Sequence, residues 1–251
     1  MNRLILAAVA LAALTIGAQA ATVRFGTEGG YPPYNFMDDS GKVAGYDVDV
    51  GTELCKRAQL DCTFVTNDWD TIIPNLLAGN YDAIIDDMTV TPERQQQITF
   101  TDYYFPPDPS RFLSKADKTF DYTALKGLKI GAQTGTIQAG YLDDKLKADN
   151  TILKYDTQDQ ELADLNNGNV DLVFIDGSVA WPTADGSKGA LKTDGPDILI
   201  GNGAGIGLRK SDTDLLAKLN TALASMKADG SIDALIAKYF PHQPKPYWTS
   251  N

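Results

Sequence analysis

The sequence predicts an α/β protein whose sheets are mainly parallel. Three observations point there. Segments of strand type alternate with segments of helix type, the alternation runs twice along the chain, and polar residues gather where the apolar strand-type runs stop. That last pattern is the one parallel sheets show where a ligand sits beyond the carboxyl ends of the strands. The clearest such stop is at residues 82–94, where Ala83-Ile84-Ile85 gives way to Asp86-Asp87 and Thr89, and Pro92 falls where the first turn of a helix would begin. Arg94, at or beside that helix start, offers a planar fork of donors suited to a carboxylate, while Asp86, Asp87 and the Thr89 hydroxyl suit an ammonium. A zwitterion satisfies both, and the competing explanation is a capped helix with a surface ion pair.

Taken in order, the chain opens with Met1-Asn2-Arg3, an apolar block over residues 4–16 and Ala18-Gln19-Ala20. These are the parts of a secretory signal peptide, with cleavage expected after Ala20, and the block is short for a membrane span. Residues 1–20 are therefore set apart from the fold. Losing them removes Arg3 and no acid, so the formal net charge goes from −11 to −12. Acidity of that size disfavours nucleic acid and anionic lipid as partners. Cys55 and Cys62, two cysteines a short loop apart in the exported part, read as a structural disulfide. The remaining roughly 230 residues suffice for one large domain or two lobes.

Thr22 to Thr27 alternates as a strand and runs into a glycine- and proline-rich loop that presents Glu28, Tyr31 and Tyr34. Around Val48 the apolar spacing becomes helical and runs on to Ala58; Asp47, Asp49 and Glu53 on this stretch lack the spacing of a calcium loop and read as capping or solvated charges. Residues 62–65 form a strand, and Trp69 stands at the turn into a helix over 71–78, as a core plug or a stacking platform. Residues 106–109, Pro-Pro-Asp-Pro, break the regular pattern and read as a crossing strand or hinge. The second unit begins with the strand 128–131, continues through a small polar turn containing Thr136, and feeds a helix from about Ile137 to Ala148 whose free N–H groups suit a carboxylate. A strand at 151–155, a helix at 158–166 and a strand at 170–175 end at Asp176, either a site carboxylate or the N-cap of the next helix. Residues 204–209 form a glycine-rich strand that is not a dinucleotide fingerprint, and helices follow at 213–228 and 232–239. His242 is the one histidine, so a His-dependent triad or a multi-His metal site is untenable, and no cofactor is expected.

Gly45-Tyr46-Asp47-Val48-Asp49-Val50 with Leu54-Cys55, Asp82-Ala83-Ile84-Ile85, Thr91-Pro92-Glu93-Arg94, Gly127-Leu128-Lys129-Ile130-Gly131 and Gly205-Ile206-Gly207-Leu208-Arg209-Lys210 together resemble the solute-binding proteins of amino-acid ABC importers, in particular the lysine/arginine/ornithine and histidine binders. The resemblance covers nearly all the mature chain. It implies the two-lobed type II periplasmic-binding-protein fold, with residues 21–108 and 204–251 as lobe 1, residues 109–203 as lobe 2, and two hinge strands near 104–111 and 198–205. It also implies a periplasmic monomer that captures a small molecule between the lobes and delivers it to a membrane permease. Carried over by position, Arg94 would grip the ligand's α-carboxylate with N–H groups near Thr89 and Thr136. Asp176 and the Thr89 hydroxyl would hold the α-ammonium, Tyr31 and Trp69 would sandwich the side chain, and Glu28 would meet a distal positive charge. The cysteine pair resembles a disulfide of the cationic-amino-acid branch.

Two departures sharpen the expectation. Asp86 and Asp87 stand where relatives have small residues, and Ile137 replaces an expected hydroxyl. Adjacent carboxylates beside Glu28 call for a ligand of high positive charge density, arginine first, then ornithine, lysine or an arginine-derived opine; if Asp86 pointed into solvent this argument would fail. Histidine is the further alternative within the class. Outside it stand a cyclohexadienyl-dehydratase-like enzyme on the same fold, with Glu28 or Asp86 as a poised acid, and a receptor's ligand-binding domain. The pairing of Arg94 with Asp176 suits an intact amino acid and argues for binding without catalysis.

Overall fold

The computed structural model describes residues 22–248, so the signal-peptide reading lies outside the described residues. In chain order the first part runs β1 (Thr22–Thr27), β2 (Gly30–Tyr31), β3 (Asn35–Met37), β4 (Val43–Ala44), α1 (Tyr46–Ala58) and β5 (Asp61–Thr66). A 3₁₀ turn (Trp69–Thr71) leads into α2 (Ile72–Leu77), followed by β6 (Ala83–Ile84), α3 (Pro92–Gln97) and β7 (Thr99–Phe105). The second part comprises β8 (Ser110–Lys115), β9 (Lys129–Gln133), α4 (Ile137–Lys145), β10 (Thr151–Tyr155), α5 (Gln158–Asn167), β11 (Leu172–Asp176), α6 (Gly177–Gly186) and β12 (Leu191–Ile198). The chain then returns through β13 (Ala204–Leu208), α7 (Thr213–Ala228) and α8 (Ser231–Tyr239).

The two parts form two lobes of the same plan. In the first sheet, ordered β5-β1-β6-β13-β7, the strands β5, β1 and β6 are parallel and the last two join antiparallel. The second sheet, β10-β9-β11-β8-β12, repeats this with β10, β9 and β11 parallel and β8 and β12 antiparallel. Parallel pairing thus holds at one side of each sheet, where helices supply the crossovers, and gives way where the chain passes between sheets at residues 106–109 and 199–203. A small sheet, β2-β3-β4, carries the loop after β1.

Periodicity explains which faces are inside. In β1, Val23 and Phe25 alternate inward, and in α1 Val50, Leu54 and Cys55 share a buried face while Cys55 bonds to Cys62 at the start of β5. Beside the crossing segments, Tyr34, Phe105 and Phe240 meet with ring centroids 4.6–5.1 Å apart, joining a core that also includes Val179 and Ala180 of α6. Tyr34, read as a loop aromatic, is fully buried, its hydroxyl 2.8 Å from Ser178. The segment after α8 is also packed: Tyr247 is buried, Trp248 donates to Asp233 at 2.7 Å and His242 lies 2.9 Å from Asp185. Aromatic burial there outweighs the chain entropy of a short tail.

Candidate functional site

Parallel strands deliver their carboxyl ends to one edge, and each lobe brings such an edge to a shared cleft. Glu28 follows β1, Asp86 and Asp87 follow β6, Gln133 ends β9 and Asp176 ends β11. Arg94 comes from the first turn of α3, which Thr91 caps by accepting from the Arg94 amide at 3.2 Å and which has Pro92 at its first position. Thr136 caps α4 in the same way, accepting from the Ala139 amide at 3.1 Å and donating to the Gln133 carbonyl at 2.8 Å.

Between these edges lies a cavity with about 350 Å³ of unfilled space, part of it open to solvent. Glu28, Tyr31, Trp69, Asp86, Asp87, Thr89, Arg94, Thr136 and Asp176, the nine residues picked from sequence, all line it, and Gln133, Ile137 and Gln138 complete the wall. The helical register offers a signal for Gln138, which sits in the first turn of α4 beside the capping Thr136. Gln133 carries only the weaker one of closing a strand.

The two lobes are stitched across the cleft by short hydrogen bonds. The Tyr31 hydroxyl donates to Asp176 Oδ2 at 2.6 Å, and Gln133 Nε2 donates to Glu28 Oε1 at 2.6 Å. Asp176 Oδ1 accepts from Gln138 Nε2 at 2.6 Å, so both of its oxygens are engaged. Asp176 opens α6 as its N-cap residue, but its side chain makes no cap hydrogen bond. Asp86 is 3% exposed; its Oδ1 accepts from Thr27 Oγ1 (3.1 Å), the Glu28 amide (2.9 Å) and Asn35 Nδ2 (2.7 Å). Its Oδ2 has no partner among the described residues. Asp87 holds a left-handed backbone, φ +44°, which Asp tolerates better than most residues, and its amide donates to the Tyr104 hydroxyl at 2.8 Å. Beneath it Asp47, fully buried, accepts from Tyr104 at 2.8 Å and Asn35 at 2.9 Å. Asp47 had read as a capping or solvated charge. Its actual role is to tie α1 to the floor of the cavity, whereas its neighbour Asp49 meets Lys238 at the surface.

Among the described residues Arg94 is the only basic one on the wall. Its guanidinium lies 5.1 Å from the Trp69 ring centroid and donates to the carbonyls of Thr89 (2.8 Å) and Gly135 (3.4 Å), and to no carboxylate among the described residues. Burial lowers its pKa to about 10, against the pull of Asp176, Asp87 and Asp86. Burial pushes Glu28 up to about 7, opposed by the Gln133 hydrogen bond. Asp86 is raised well above the usual range by burial and then by Asp47, and Asp87 by burial and then by Asp176. A cavity with one unpaired guanidinium and several carboxylates can hold a molecule bearing one anionic group and more than one cationic group.

Two lobes with matching sheets and a cavity lined by polar side chains between strand ends define a cleft-type ligand-binding protein. The chain belongs to the bacterial extracellular solute-binding proteins, family 3, whose model matches residues 23–242. It is 37% identical over 246 residues to the ABC transporter arginine-binding protein 1 of Escherichia coli K12, covering 96% of this chain and 100% of that one. The lysine/arginine/ornithine-binding periplasmic protein of the same organism is 35% identical over 251 residues, covering 94% of each chain. Among solved structures, a periplasmic His/Glu/Gln/Arg/opine family-binding protein from Silicibacter pomeroyi in complex with lysine superposes with a TM-score of 0.83 at 44% identity, over 90% of this chain and all of that one.

Proposed function

We propose that this protein is the periplasmic ligand-capturing component of an amino-acid ABC importer, and that it closes around arginine, ornithine or lysine and passes it, as a monomer, to a membrane permease. The lobes are residues 21–108 with 204–251, and residues 109–203, with hinges at the two crossing segments. The observation that carries the ligand class is the charge layout of the cavity, with Arg94 free of any carboxylate partner among the described residues and Glu28, Asp86, Asp87 and Asp176 as the other charged groups. In this reading Arg94 binds the α-carboxylate with backbone N–H groups near Thr89 and Thr136, Asp176 and the Thr89 hydroxyl hold the α-ammonium, Tyr31 and Trp69 flank the aliphatic stem, and Glu28 with Asp86 and Asp87 meets the positive charge. The relatives named above are binding proteins, which supports release of the ligand unchanged.

Thermal shift of residues 21–251 with amino acids, polyamines and opines tests the reading. Ligand at a hundredfold excess over its dissociation constant adds about 2.7 kcal/mol of stability. A rise with arginine, ornithine or lysine and little with glutamine or glutamate is expected. A rise only with amines lacking a carboxylate would remove the role given to Arg94, and no rise with any cation would remove the ligand class. Incubation with prephenate or arogenate is expected to return both unchanged; conversion would make the protein an enzyme.

A further inference from the structure

Resting on the cationic reading above, we propose that capture at this site is an exchange of protons for ligand cations: the cleft carboxylates hold protons while no ligand is bound, and a ligand with two cationic groups displaces at least one of them into solvent. The charge count is the first argument. The cavity wall carries four acids, Glu28, Asp86, Asp87 and Asp176, and one base, Arg94, so full ionisation would leave it at −3. A cationic amino acid brings two positive groups and one negative, and the occupied cavity would still stand at −2. Charges taken out of water to that degree neutralise by binding protons.

The second argument is the set of buried oxygens without a donor. Asp86 Oδ2 on the wall has none, nor has Asp108 Oδ1 at the crossing segment, nor Glu161 Oε2 on α5, which packs against β2 and is 1% exposed. An ionised oxygen in such a place leaves its desolvation uncompensated, whereas a proton or a ligand N–H removes the cost. The groups facing these acids are mostly other acids. Asp86 faces Asp47 and Glu28, and Asp87 faces Asp47, Asp108 and Asp176. Glu28 has Asp68, Asp70 and Asp159 near it, Glu161 faces Asp176 and Glu28, and Arg94 is the cation that Asp86, Asp87 and Asp176 share. Burial and these neighbours raise Glu28 to about 7 and Asp108 to about 7, so protons are held at neutral pH. On capture a carboxyl loses its proton to the buffer and the carboxylate accepts an N–H from the ligand's ammonium or guanidinium; no covalent bond to carbon changes.

Calorimetric titration of arginine into residues 21–251, at one pH near neutrality in two buffers of different ionisation enthalpy, measures the exchange. The expected result is a buffer-dependent heat equivalent to release of about one proton per arginine, and an affinity that rises about tenfold per pH unit from about pH 6 to about pH 7. Heats independent of buffer with an affinity flat in pH, while arginine binds, would overturn the exchange and leave the ligand reading intact. Absence of binding by arginine, ornithine and lysine at any pH would overturn the ligand reading, and the exchange with it. In the double variant Asp86→Asn/Asp87→Asn the proton count is expected to fall. A count equal to wild type would overturn the assignment to this cluster, and if the variant does not fold the wild-type titration still decides.

Discussion

Asp86 and Asp176 occupy matching places, each at the carboxyl end of the parallel strand that borders the antiparallel part of its sheet, yet they are held differently. Asp86 gathers three donors of its own lobe on one oxygen, from Thr27, Glu28 and Asn35, and leaves the other without a partner. Asp176 divides its oxygens between Gln138 of its own lobe and Tyr31 across the cleft. The same topological position therefore serves as an anchor for the loop after β1 in one lobe and as a latch between lobes in the other. An anchor's loss shows in the stability of the lobe, and a latch's loss in closure and affinity.

Variants test that contrast. The largest effect on affinity is expected for Arg94→Ala, which on the proposed reading leaves the ligand carboxylate without its partner, at a cost of about 2–5 kcal/mol of binding by calorimetry. Asp176→Ala is expected to weaken arginine binding by a comparable amount with a smaller change in the melting point of the ligand-free protein. Asp86→Ala strands three donors and is expected to lower ligand-free stability by about 2–4 kcal/mol, measured by urea denaturation. If the two alanine variants instead lose stability equally, the distinction between anchor and latch fails. Tyr31→Phe keeps the ring and removes the 2.6 Å bond to Asp176, a loss of about 1.5–3 kcal/mol in affinity and little in stability.

The pH dependence has a definite sign. Glu28, Asp47 and Asp108 have folded-state pKa values raised by burial to about 7, about 6 and about 7. A raised carboxyl stabilises the fold below its unfolded pKa and loses that contribution as pH rises through the folded value. The ligand-free protein is therefore expected to melt lower at about pH 8 than at about pH 5, with the change concentrated between about pH 4 and 7; a midpoint rising over that span would contradict it. Other acids work the other way, since the half-buried Asp82 beside Arg24 and the exposed Asp229 beside Ser231 and Arg57 lie below the usual range, and at Asp229 solvent screens the effect. The smallest effect is expected for Lys56→Ala, which removes an exposed pair with Glu53 and changes stability by under about 1 kcal/mol.

Much of the cavity wall was legible in the sequence because its residues stand where apolar runs stop. Asp86-Asp87 after Ile85, Asp176 after Ile175 and Glu28 after Thr27 are visible as such stops, and Arg94 and Thr136 lie at helix starts marked by Thr91-Pro92 and by the Gly135-Thr136 turn. Asp47 was misread because a carboxylate in the first turn of a helix looks the same in sequence whether it meets water or Asn35 and Tyr104. Gln133 escaped notice because its partner, Glu28, comes from the other lobe, 105 residues away.

By itself the sequence determined the alternation of strands and helices, their caps, the pairing of Cys55 with Cys62 and the gathering of carboxylates at strand ends, since these depend on side-chain period, backbone freedom and neighbours close along the chain. Only the tertiary structure decided that two sets of strand ends face one another across about 350 Å³ of space, that Asp86 keeps a bare oxygen while Asp176 is latched by Tyr31, and that one guanidinium shares a cavity with four carboxylates. Those outcomes rest on burial and on contacts between residues distant in sequence, where the energy of a charge is set by its surroundings and not by its own side chain.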